Sequence, residues 1–148
     1  TADRIDVDDE GHAVVLDYKA SVSPEHELAV REEGRLGKVQ TLIYAQVARR
    51  MLGLNPVGAL YVCYGKRCAV TGAYDATVLE SPHLPSTRHD KCEFAPRDGE
   101  SFADLLDRTE EAIARGVERM LSGDVRPDPS SPHACTWCPV LSCAERRA

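Results

Sequence analysis

Asp17, Tyr18 and Lys19 close an apolar run, Ala13-Val14-Val15-Leu16, and in a strand residues i and i+2 point to one face. Asp17 and Lys19 therefore share a face at the end of a strand whose near-continuous apolar character marks it as buried on both sides. A carboxylate and an ammonium in such a place need a partner, a metal ion or a chemical task. Asp3, on the preceding strand of a hairpin, is placed to bring a second carboxylate opposite Asp17. Two carboxylates beside a lysine suit a divalent cation with oxygen ligands, Mg²⁺ or Mn²⁺. Such an ion polarises a phosphodiester and generates hydroxide, while the lysine orients the water or stabilises developing charge. A strand-end Asp–Lys pair beside a solvated hairpin explains the same residues without any chemistry.

Two further constellations lie downstream. Gln40 and Tyr44 are spaced i, i+4, so on a helix they form one polar patch; a surface Gln beside a boundary Tyr is the plainer account. In the tail, Cys135, Cys138 and Cys143 form a C-x₂-C-x₄-C string. Soft thiolates so closely spaced bind an iron–sulfur cluster or zinc rather than hard cations. Zinc with His133 or Cys92 as fourth ligand, and plain thiols, are the alternatives. Cys63 reads as core packing in an apolar strand, and Cys68 and Cys92 have no ligand-like neighbours. His26 and His89 read as solvated, and Trp137 as packing over the cysteine site.

These residues need elements to position them. Residues 2–7 and 13–19 read as a hairpin turned by Asp8-Asp9-Glu10-Gly11, and 20–35 as a polar connection. From Leu36 to Leu52 the period becomes helical, with Leu36, Val39, Leu42, Ile43, Val47 and Met51 on one broad face and Gly53 as the stop. Strands follow over Val57–Tyr64 and Ala69–Leu79, then a loop over 81–99. Ser101 with Asp104 is a capping signal for a second amphipathic helix carrying Phe102, Leu105, Leu106, Ile113, Val117, Met120 and Leu121, closed by Gly123. This order predicts an α/β (α+β) fold with helices packed on a sheet, as a core over 1–123 and a cysteine-rich tail over 124–148.

Composition narrows the classes. In 148 residues, hydrophobic residues are 43%, which with 10 glycines is an ordinary globular content and excludes disorder. The net charge of −6 excludes a wholly basic nucleic-acid coat but not a local basic groove. Arg31, Arg35, Lys38, Arg49 and Arg50 cluster around the first helix and are candidates to line such a groove, as is a simple solvated helix face. Six cysteines are too few for a disulfide scaffold of this length. No apolar stretch is long enough to span a bilayer, and no charged-then-apolar leader opens the sequence, so the expectation is a cytoplasmic protein with no membrane partner. The sequence opens as though inside a strand, which suggests part of a longer polypeptide.

The order T-A-D-R-I-D, then D-Y-K, then Q-T-L-I-Y resembles the RecB-like exonuclease branch of the PD-(D/E)XK nuclease superfamily. The resemblance covers most of the chain. It implies a restriction-endonuclease-like mixed β-sheet flanked by helices and Mg²⁺-dependent (or Mn²⁺-dependent) cleavage of DNA. It assigns Asp3 and Asp17 as metal ligands, Asp6 as a non-ligand aspartate, Lys19 as the catalytic lysine, and Gln40 and Tyr44 as the helix contacting DNA and site. Further ligands, a helical His or Glu and a fourth cluster cysteine, would precede Thr1. AddB-type helicase–nuclease subunits and CRISPR-associated adaptation nucleases end in a similar cysteine trio, which implies a 4Fe–4S cluster held by Cys135, Cys138 and Cys143, with Zn²⁺ as the alternative. The reading is thus a deoxyribonuclease module of DNA repair or recombination, with DNA and a helicase domain or subunit as partners. Its rivals are a degenerate, non-cleaving DNA-binding module with a structural metal site, and a zinc-stabilised interaction domain.

Overall fold

The computed structural model describes residues 2–21, 38–65, 69–75, 77–79, 100–124, 126–127, 135–136 and 138–143. The chain divides into two compact units, residues 1–113 and 114–148.

Four strands form one mixed sheet in the order β1-β2-β3-β4: β1 (Arg4–Val7), β2 (His12–Lys19), β3 (Asn55–Cys63) and β4 (Ala69–Tyr74). β1 and β2 are an antiparallel hairpin. Its turn is fixed by Asp8, whose Oδ1 accepts the N–H groups of Glu10 and His12 at 2.9 and 2.8 Å. The Asp8 Oδ2 meets His12 Nδ1 at 2.9 Å, and this contact holds the Asp8 carboxyl below the usual carboxylate range. Gly11, at φ +84°, supplies the left-handed residue that lets the turn close. β2 and β3 are parallel, so a crossover must join them, and helix α1 (Gln40–Leu52) lies within it. β3 and β4 are again antiparallel. Beyond Tyr74 the chain turns, because Asp75 Oδ1 accepts from the Thr77 N–H and hydroxyl at 2.9 and 2.6 Å. The fourth strand therefore stops short of the expected Leu79. With its two helices, this is the α/β restriction-endonuclease-like fold expected.

One face of the sheet carries Val15 and Ala59, packed with Leu42 and Ala45 of α1 and with Phe102, Leu105 and Leu106 of α2 (Phe102–Leu121). Full burial of a side chain such as Leu42 contributes about 1.5–3 kcal/mol. The other face clusters Leu60, Val70 and Tyr74, with Val14, Val62 and Leu79.

The buried face of α1 differs from the expected one. Thr41, Leu42, Ala45, Gln46 and Ala48 are buried, whereas Ile43, Val47 and Met51 are exposed, Met51 by 78%. Alanines let the helix axis approach the sheet closely, and the larger apolar residues are left on the outer flank. The helix also begins at Gln40 rather than Leu36: Lys38 and Val39 lie outside it, and Leu36 lies outside the described residues. It ends as expected at Gly53, in the left-handed conformation at φ 67°. In α2 the expected stripe is buried only in the first turns; Val117, Met120 and Leu121 are exposed. The Ser101 signal holds: Ser101 Oγ accepts the Asp104 N–H at 3.2 Å, and Asp104 Oδ2 accepts the Ser101 N–H at 2.8 Å.

Candidate active site

The chemistry-bearing residues gather where β2 ends against the start of α1. The strand ladder places them. Arg4 pairs with Leu16, so the same register carried one residue further sets Asp3 across from Asp17. Asp3 Oδ2 accepts the Tyr18 N–H at 2.8 Å, which holds its carboxylate against the β2 backbone beside Asp17. On the other side of β2, Asp17 pairs with Tyr61 of β3, and Lys19 with Cys63.

Asp17 is 3% exposed. Its Oδ2 lies 2.5 Å from Lys19 Nζ, but it has no partner in hydrogen-bonding geometry. The contact is an ion pair that leaves lone-pair capacity on that oxygen. Lys19 is part-exposed, so one end of the pair is buried and the other reaches outward. The Lys19 pKa is raised, first by its contact with Asp17, with Asp3 adding a smaller charge effect and burial opposing both. Lys19 Nζ also donates to Gln40 Oε1 at 3.1 Å, and Gln40 Nε2 donates to the Tyr44 hydroxyl at 2.8 Å. That last bond lowers the Tyr44 pKa by stabilising phenolate. A continuous polar chain thus runs from Asp17 through Lys19 and Gln40 to Tyr44, with Asp3 alongside.

The donor set suits a hard divalent cation. A buried carboxylate oxygen with spare acceptor capacity beside a second carboxylate offers oxygen ligands only. Among the described residues no three His, Cys, Asp or Glu side chains are grouped as a complete ligand set.

The family model of the PD-(D/E)XK nuclease superfamily matches residues 1–143. The chain belongs to this superfamily. It therefore has a nuclease-type phosphodiesterase fold, and nucleases of the PD-(D/E)XK superfamily typically use divalent metals such as Mg²⁺. No curated protein and no solved structure matches the chain. No helix among the described residues is long and apolar enough to cross a membrane.

Other expected site residues fare differently. Cys135, Cys138 and Cys143 are thiols that do not converge on one centre, so the expected cluster or zinc site is not supported. The Cys138 N–H reaches the Cys135 carbonyl at 3.4 Å across one turn. Pro139, with its fixed φ, and a turn at Leu141-Ser142 then separate Cys143 from that turn. The candidate fourth ligands His133 and Cys92 lie outside the described residues, as do Trp137, Cys68, His26 and His89.

Of the basic residues, Arg49 pairs with Asp107 and donates to the Ala103 carbonyl at 3.3 Å. Arg50 pairs with Glu110 at 2.7 Å. Burial raises the Asp107 pKa, but hydrogen bonds from Arg49 and Gln46 outweigh it and leave that carboxyl below its ordinary value. These arginines fasten α1 to α2, and Lys38, the other described candidate, is exposed just before the helix. Arg31 and Arg35 lie outside the described residues. Cys63 is buried as expected, its thiol donating to the Ala20 carbonyl at 3.3 Å.

One residue at the site escaped the sequence reading. Tyr61 sits under Lys19, whose Nζ is 5.9 Å from the ring centroid. A tyrosine inside an apolar strand looks like core. The available signal was its hydroxyl, which needs a partner when buried.

Proposed function

We propose that this chain is the metal-dependent, DNA-cleaving module of a RecB-like exonuclease. The observation that carries this reading is the position of Lys19 Nζ, in contact at once with the buried Asp17 carboxylate and with Gln40. An isolated strand-end ion pair has no reason to recruit a helix glutamine that is itself oriented by Tyr44.

Asp17 and Asp3 would hold a divalent cation, which would supply Lewis-acid polarisation of the scissile phosphate and of a water molecule. Asp17, buried and held against the Lys19 ammonium, would offer its carboxylate as an oxygen ligand. Lys19, as an ammonium with its tip partly open to solvent, would stabilise negative charge developing on a phosphate oxygen brought to it. Gln40 Oε1 accepts a hydrogen bond from the ammonium while Asp17 lies against its other side, which limits the directions left for its remaining N–H. The ammonium can only donate, so it holds the Gln40 oxygen toward the lysine, and the amide nitrogen on the other side donates to the Tyr44 hydroxyl. The exonuclease assignment, DNA as the substrate, and a repair or recombination setting with an attached helicase rest on the resemblance of the D-R-I-D, D-Y-K and Q-x-x-x-Y strings.

The test is incubation of the intact protein with end-labelled linear duplex, single-stranded and covalently closed circular DNA, with Mg²⁺, Mn²⁺ or EDTA. The expected result is metal-dependent loss of linear DNA from its ends, with circles resistant. Cleaved circles would mean an endonuclease. Retention of DNA without cleavage under any metal would favour the non-cleaving module.

A further inference from the structure

We propose that Tyr61 is a positioning residue of the active site: its buried hydroxyl caps α1 from the sheet and thereby sets the reach of Gln40 to the Lys19 ammonium lying over the same ring. The proposal deepens the nuclease reading and rests on it for the role of Lys19.

The start of α1 lacks a local cap. Helices leave their first N–H groups without intrahelical partners, and Ser, Thr, Asp or Asn usually supplies one acceptor. Here Val39 holds the cap position, no side chain caps the helix locally, and the first turn has no acidic residue. The acceptor comes from another element. Tyr61 Oη accepts the Thr41 N–H at 3.4 Å and donates its proton to the Lys38 carbonyl at 2.9 Å. Tyr61 is 1% exposed, so a hydroxyl there without partners would be costly.

The two backbone groups held by Tyr61 bracket Gln40. Lys38 lies two residues before it and Thr41 one after, so the hydroxyl fixes the backbone from which the Gln40 side chain reaches Lys19 Nζ at 3.1 Å. The face of the same ring lies 5.9 Å from that Nζ, within the range in which aromatic faces attract ammonium groups. The ladder makes Tyr61 the direct neighbour of Asp17. One side chain therefore touches the lysine with its face and the helix with its tip.

Tyr61→Phe keeps the ring and its volume and removes only the hydroxyl. In the intact protein, kcat for DNA cleavage should fall about threefold to tenfold while KM stays within about twofold, since the lost interaction acts on the chemical step. Tyr61→Phe should add nothing in a Gln40→Ala background, because residues that act through one another are not additive. A purely structural tyrosine would cost the same factor in both backgrounds, and that result overturns the proposal. Hydrogen exchange gives a readout independent of cleavage: the Thr41 amide should exchange at least about tenfold faster in Tyr61→Phe, with the Leu60 and Val62 amides unchanged. If the protein cleaves no DNA but Thr41 responds this way, the cap stands and the nuclease reading fails. In the unmutated protein, the Tyr61 hydroxyl proton should show a nuclear Overhauser contact to the Thr41 amide. Its absence, or unchanged Thr41 exchange in the variant, overturns the cap.

Discussion

The end of β2 and the cysteine tail are written in the sequence with similar emphasis, and the fold treats them differently. Asp17 and Lys19 stand on a central strand with ladder partners on both sides. Gln40 and Tyr44 stand on a helix whose period sets them one turn apart. Their meeting follows from backbone geometry that would exist for folding alone. Cys135, Cys138 and Cys143 stand in irregular chain, where spacing fixes no direction and one turn links only the first two. A motif carried by regular elements arrives assembled; a motif carried by a loop is only a list of donors.

The ladder-built site is most vulnerable at Asp17. Asp17→Asn keeps the shape and removes the charge, and should lower the cleavage rate on the order of 10³-fold at saturating Mg²⁺. A rate within tenfold of the unmutated protein, measured on end-labelled DNA, would remove the ladder-built site from the chemistry. Lys19→Met comes next, with a kcat loss on the order of 10²-fold and nearly unchanged DNA affinity. The variant also leaves Asp17 buried without its ion pair. Because Lys19 is about one-third exposed, the stability cost should be about 1–3 kcal/mol, below that of a fully buried pair; denaturant titration measures it. An equal loss of affinity and rate would make Lys19 a phosphate-binding residue instead.

Smaller effects are expected at the α2 cap and in the cysteine tail. Ser101→Ala should cost about 1 kcal/mol of stability through the lost cap of α2, with cleavage per folded molecule unchanged. The Asp104 pKa is lowered, first by the Ser101 hydroxyl, so its contribution is full above the ordinary carboxylate range and fades as pH falls through the lowered value. Thermal melts on acidification should show a shallower decline for Ser101→Ala than for the unmutated protein. Smallest of all, joint replacement of Cys135, Cys138 and Cys143 by Ser should change the cleavage rate by less than about twofold. A large loss of activity, accompanied by loss of bound iron or zinc, would restore the tail as part of the working site.

The sequence was most legible where a rule had one solution. The turn at Asp8–Gly11, the Gly53 stop and the Ser101–Asp104 cap each follow from local chemistry and appear where expected. The face of α1 did not, because a search for large apolar residues selects Ile43, Val47 and Met51, whereas close approach to a sheet selects Ala45 and Ala48. Arg49 and Arg50 read as free positive charge because their acidic partners lie on a distant helix. Tyr61 was hidden for the same reason. Its task depends on a helix end that its own strand does not encode, and only the missing cap at Val39 hints at it.

The parallel pairing of β2 with β3 also has a temporal consequence. Asp17 and Tyr61 touch across the ladder but are far apart along the chain, with the whole crossover between them. Such a pairing forms only after the entropy of closing the intervening loop has been overcome, which makes it slow compared with the local β1–β2 hairpin. Asp17 and Tyr61 are therefore expected to meet late on the folding path, after the hairpin and α1 have formed. Newly made or partly unfolded chains would carry every residue of the site without the arrangement that cuts, so cleaving power would be switched on by completion of the sheet.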